Sequence, residues 1–86
     1  MKVKTFAEMA AESAAIAESF RESAKVAREN ARSWGRMADV SMGAKRAHCE
    51  RMSDAWGNAK ISAETLAGRF DLYAIRQAEL AKEENV

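Results

Sequence analysis

His48 and Cys49 are the chain's only histidine and only thiol, and they are adjacent. Their chemistry would be nucleophilic catalysis or metal binding. A thiolate nucleophile needs a base held against it and a site for the developing oxyanion. Nothing in the pattern around Cys49 supplies either. Neighbours on a helix point about 100° apart, so this pair does not reach one ion without a break in the helix. The next donors, Glu50 and Met52, complete no metal-ligand spacing. The pair reads as a partly buried histidine beside a small buried thiol. The expectation is no enzyme, no cofactor and no metal. Were there an activity, Cys49 with His48 would be its first candidate group.

Carboxylates are the second source of chemistry. Glu12, Glu18, Glu22 and Glu29 precede the middle of the chain. Acid–base work or a di-metal site would use them in pairs. A di-metal bundle also needs Glu-x-x-His pairs pointing inward, and no glutamate stands three residues before His48. Glu22 and Glu29 instead have Lys25 and Arg32 three residues on, the spacing of a solvated, ion-paired helix face.

Basic residues are distributed unevenly. Residues 1–24 carry net charge −1, residues 25–51 carry +4 and residues 52–86 carry −2, consistent with +1 overall. Arg21, Lys25, Arg28, Arg32 and Arg36 form a ridge along one side of a helix, on the order of 20 Å long. It could meet phosphates or an acidic protein surface. Glu18, Glu22 and Glu29 flank it, and no aromatic residue interleaves for base stacking. Solvated surface is the leading reading, with protein contact next and nucleic acid last.

Trp34 and Trp56 are each followed by glycine. They read as core anchors at helix ends, or alternatively as exposed interface anchors, a role in which tryptophan is enriched. Ile61, Leu72 and Ile75 point roughly opposite to Phe70 and Tyr73. A small surface helix needs only one apolar face. A second face predicts a partner, or another helix of the same chain.

The elements that position these residues are helices. Eighty-six residues contain no proline, and apolar residues recur every three or four positions. Thr5 and Glu8 have the spacing of a capping box. The first stripe runs through Phe6, Met9, Ser13, Ile16, Phe20, Ala24, Ala27, Ala31, Trp34 and Ala38. Asp39, Ser41 and Gly43 predict a turn at about 39–43, with Asp39 or Ser41 capping the next helix. Met52 and Trp56 resume the stripe. Gly57-Asn58 predicts a stop, Ser62 a new cap, and Leu66, Phe70, Tyr73, Gln77 and Leu80 a last stripe. Residues 82–86 should fray. The fold class is all-α, a single domain over 1–86. It is a small bundle of three helical segments at about 5–38, 44–56 and 62–84. The alternative is a long hairpin with helices 5–56 and 62–84.

Composition adds a reason to expect oligomers. The chain has 19 Ala but only 13 Leu, Ile, Val and Phe residues. Alanine lets helices approach closely and buries little area, while ordering the backbone costs roughly 1–2 kcal/mol per residue. Self-association is the natural remedy. One cysteine and the lack of any long apolar run predict a cytoplasmic protein with no membrane partner.

The functional expectation is a small, non-enzymatic protein–protein interaction module. It would associate with itself, as a homodimer or higher, and bind a partner protein so as to block or adapt it. A phage or mobile-element inhibitor of a host system would suit the size. The candidate partner-binding residues are Arg21, Lys25, Arg28, Arg32, Arg36, Trp34, Trp56, Ile61, Leu72 and Ile75. The alternative is a nucleic-acid-binding protein using the basic ridge.

Overall fold

The computed structural model describes residues 3–84 of the chain. Thr5 opens α1 (Phe6–Asp39). Its hydroxyl oxygen accepts the Glu8 backbone N–H at 3.1 Å and its hydroxyl donates to the Glu8 carboxylate at 3.3 Å. One free N–H of the first turn is thereby satisfied, and a carboxylate sits near the positive end of the helix. Three residues, 40–42, link α1 to α2 (Gly43–Glu84). Gly43 has φ 60°, the left-handed region that glycine enters without a Cβ clash.

The helices lie antiparallel. The Phe6 N–H donates to the Glu84 carboxylate at 3.3 Å, Ser13 meets Gln77, and the Phe20 ring stacks on Phe70. Each of these pairs is one heptad further along α1 and one heptad further back along α2. With heptads lettered so that these pairs stand at d, position a of α1 is alanine every time: Ala10, Ala17, Ala24, Ala31 and Ala38. The facing a positions of α2 are Ser53, Lys60, Ala67, Ala74 and Ala81. The d positions alternate bulk: Phe6, Ser13, Phe20, Ala27 and Trp34 on α1, with Cys49, Trp56, Ala63, Phe70 and Gln77 on α2. Every one of these residues is buried or half-buried. The two Trp-Gly pairs, Trp34-Gly35 and Trp56-Gly57, fall opposite one another in this register.

The seam is narrow and thinly filled. Among the described residues, no side chain larger than Cys49 is fully buried. The hairpin measures 66 × 24 × 13 Å, so it is a slab one helix thick. No described helix is long and apolar enough to cross a membrane.

All-α architecture and the break near 39–43 agree with the sequence expectation; the three-segment division does not. α2 passes through Gly57-Asn58 without interruption. Glycine inside a helix costs about 1 kcal/mol relative to alanine. Contacts on the N-terminal side of Gly57 offset that cost: Trp56 is half-buried, and the Ser53 hydroxyl donates to the Ala31 carbonyl at 2.9 Å. Ser62 lies exposed inside α2 and caps nothing. The alternative of a long two-helix hairpin agrees with the architecture, but it places the turn at 57–61, whereas the turn is at 40–42. Ser41 finishes α1 rather than starting α2. Its N–H donates to the Ala38 carbonyl at 3.1 Å and its hydroxyl to the Met37 carbonyl at 2.7 Å. Residues 82–84 are helical, held at Glu84 by the start of α1. Asn85 and Val86 lie outside the described residues.

The seam also differs in phase. The periodicity puts Met9 and Ile16 on the inner stripe, but Ala10 and Ala17 occupy it. On α2 it puts Met52, Leu66, Tyr73 and Leu80 there, but Ser53, Ala67, Ala74 and Ala81 hold the inner line. Small residues at every a position of α1, and at those of α2 other than Lys60, allow the backbones to come together. A larger side chain in each layer would force them apart.

Candidate partner interface

Antiparallel pairing puts the g positions of both helices on one broad face of the slab and the e positions on the other. Arg21 and Asp71, both at e, bear this out: they are joined across the helices at 2.8 Å.

The g face is apolar. It carries Met9, Ile16 and Met37 from α1, with Met52, Leu66, Tyr73 and Leu80 from α2. The facing layers are Met9 with Leu80, Ile16 with Tyr73, Ser23 with Leu66, Asn30 with Ala59, and Met37 with Met52. Ile16 is 40% exposed, Met37 41% and Tyr73 52%; Met9, Met52, Leu66 and Leu80 are half-buried. The Tyr73 ring packs edge-on against Phe70, with centroids 5.5 Å apart, so the face is continuous with the seam beneath it. Apolar surface gathered on one face, interrupted only by Ser23 and the layer of Asn30 and Ala59, is the kind that marks an interaction site.

The e face is polar. Its members are Ala7, Ala14, Arg21, Arg28 and Gly35 on α1, with Glu50, Gly57, Glu64, Asp71 and Ala78 on α2. The Arg21 guanidinium bonds Asp71 at 2.8 and 3.1 Å and Glu18 at 2.9 Å. Asp71 first and Glu18 second hold its pKa above the ordinary arginine value. Arg46 is raised likewise by its hydrogen bond to Glu50. A shallow groove of about 280 Å³ is lined by Arg21, Lys25, Arg28, Lys60 and Glu64. Lys60 sits at an a position with its ammonium 3.4 Å from Glu64, its stem covering the seam while the charge reaches water.

The residues singled out by sequence separate into three groups. Arg21, Lys25, Arg28, Arg32 and Arg36 are all exposed, on the e face and the adjoining outer edge of α1. Trp34 and Trp56 take facing d positions near the turn and are half-buried. Ile61, Leu72 and Ile75 are exposed on the outer edge of α2, away from both α1 and the g face. Cys49 is 1% exposed. His48, expected to be partly buried, is exposed, with its ring edge-on to Trp34 at 5.9 Å. No group of three or more His, Cys, Asp or Glu side chains that could hold a metal ion comes together among the described residues.

Sequence reasoning misses the apolar face because it assigns the members of that face to the inner stripe. The signal that separates them is the unbroken heptad of alanine from Ala10 to Ala38. It places Met9, Ile16 and Met37 one residue off the seam, all on one flank. The chain matches no protein-family model, no curated protein and no solved structure.

Proposed function

We propose that this protein is a non-enzymatic protein–protein interaction module that self-associates and occupies the surface of a partner protein. The observation that carries the reading is the apolar g face of a slab only 13 Å thick. A helical layer must bury its apolar side against another layer, and the hairpin has no second layer of its own. The exposed Ile61, Leu72 and Ile75 on the outer edge of α2 offer a separate contact for a different protein. Blocking or adapting that protein is the mode of action such a module would have.

The test compares the wild-type chain with Ile16→Glu/Tyr73→Glu in native mass spectrometry and in capture of proteins from its source cell. Circular dichroism monitors helix content. Loss of all assemblies in a variant that keeps its helicity supports the proposal. A wild-type chain that is monomeric and captures nothing overturns it.

A second reading, nucleic-acid binding, is favoured by one observation: Lys60 of α2 joins Lys25 and Arg28 of α1 around the e-face groove. The ion pairs of Arg21 with Asp71 and Glu18, and Glu64 in the same groove, weaken it. Phosphate contacts lose affinity steeply with salt. A mobility-shift titration at low salt with no retardation removes this reading.

A further inference from the structure

The geometry points to a second copy of this chain as the occupant of the g face, related by a two-fold axis parallel to the helices. This rests on the interaction-module reading and names its partner.

Area is the first argument. The chain exposes 6410 Å². A compact monomer of 9.5 kDa exposes about 5,000 Å². The surplus of about 1,400 Å² exceeds the roughly 800 Å² that each partner contributes to a standard interface. The radius of gyration is 19.1 Å, against about 12 Å for a compact chain of this length. Two slabs laid g face to g face form a four-helix bundle. That arrangement turns the three wholly apolar layers of the g face into a core, with Ser23 and Asn30 between them, without any change of fold.

Charge selects the orientation. Of the outer positions, c flanks the g face and f points away from the seam; the one charged c residue on α1 is Glu12. On α2 the c positions carry Arg69 and Arg76, with Glu83 the exception. A two-fold axis parallel to the helices lays α1 of one copy over α2 of the other, and the edge of α1 that carries Glu12 over the edge of α2 that carries Arg69 and Arg76. A two-fold axis perpendicular to the helices lays α1 over α1 and α2 over α2, so that Arg69 and Arg76 share an edge with their own copies, and juxtaposed like charges disfavour it. The parallel axis also keeps every residue at the same height as itself in the second copy. Ile16 and Tyr73 then form one closed layer with Ile16 and Tyr73 of the second chain, and Glu12 lies at the height of the second chain's Arg76.

The experiment uses the full chain. Light scattering reads the mass. A nitroxide on Met42→Cys, in a Cys49→Ala background, reads the distance between the two turns by double electron–electron resonance. Met42 is exposed in the turn. The expected result is a mass twice 9.5 kDa and a turn-to-turn distance within about 30 Å, two to three helix diameters. Arg76→Glu should weaken the dimer about tenfold, since the symmetry repeats each rim pair, and adding Glu12→Arg should restore it. A dimer whose turns lie apart by nearly the 66 Å length of the slab overturns the orientation. A monomer at high concentration overturns the second copy as occupant. If that monomer still captures another protein, and Ile16→Glu/Tyr73→Glu abolishes the capture, the partner-binding part of the interaction-module reading survives while its self-association and this inference fall.

Discussion

Phe20 and Phe70 stack at a centroid distance of 5.8 Å with their planes 25° apart. They are one heptad from the polar layer formed by Ser13 and Gln77 on one side and one heptad from the small Ala27 and Ala63 on the other. In a seam lined by alanine, this stack supplies bulk that its neighbours lack. Removing either ring should therefore cost more than its half-buried state suggests.

Phe20→Ala or Phe70→Ala is expected to destabilise the protein by about 2–3 kcal/mol, below the range for a fully enclosed ring. That corresponds to a fall in Tm of more than about 8 °C for a chain of this size. Thermal melting followed at 222 nm checks it. A Tm within about 2 °C of the parent would show that the stack is not a main support of the seam.

The layer of Ser13 and Gln77 sets register rather than bulk. With its amide nitrogen turned towards its acceptors, the two N–H donors of Gln77 have Ser13 Oγ at 2.6 Å, the Met9 carbonyl at 3.0 Å and the Tyr73 carbonyl at 3.2 Å within reach. A shift of α2 by one turn would strand that amide in the seam. A double-mutant cycle with Ser13→Ala and Gln77→Leu should give a coupling energy of about 1 kcal/mol, read from urea unfolding. The double variant should be close to the parent in stability, because an apolar pair replaces a satisfied polar one. Strict additivity of the two single changes would refute the coupling.

Glycine substitutions should have opposite signs in the turn and in the helix. Gly43 has φ +60°, and a Cβ there would meet nothing within 4 Å, so Gly43→Ala costs only the left-handed backbone, about 1–2 kcal/mol. Gly57 also has open space around it but lies within α2. Gly57→Ala should stabilise by about 0.5–1 kcal/mol. Paired thermal melts decide the point. A destabilised Gly57→Ala would mean that the helix is not continuous there.

Cys49 should behave as a buried structural thiol. At 1% exposure, it meets an aryl disulfide reagent only when the hairpin opens. Its modification should be at least about a hundredfold slower in the native protein than in denaturant. Reaction at the denatured rate under native conditions would place the thiol at the surface and reopen a chemical role for it.

The sequence by itself determined the helical class, the start of α1 at Thr5 and the break near residues 39–43. These are local matters. The absence of proline, a hydroxyl three residues before a glutamate, and a glycine free to take positive φ each act within one or two turns of backbone. The face that each helix turns inward was not local. Large apolar residues such as Ile16, Leu66 and Tyr73 have the greater individual gain from burial, so the periodicity alone assigns them to the seam. Only the pairing of α1 with α2 shows that alanine at every a position of α1 draws the backbones together and moves the larger side chains to one flank. The same pairing carried α2 through Gly57-Asn58, because Trp56 and Ser53 are held by the opposite helix. The tertiary structure thus decided where the apolar surface lies, and with it where a second protein would bind.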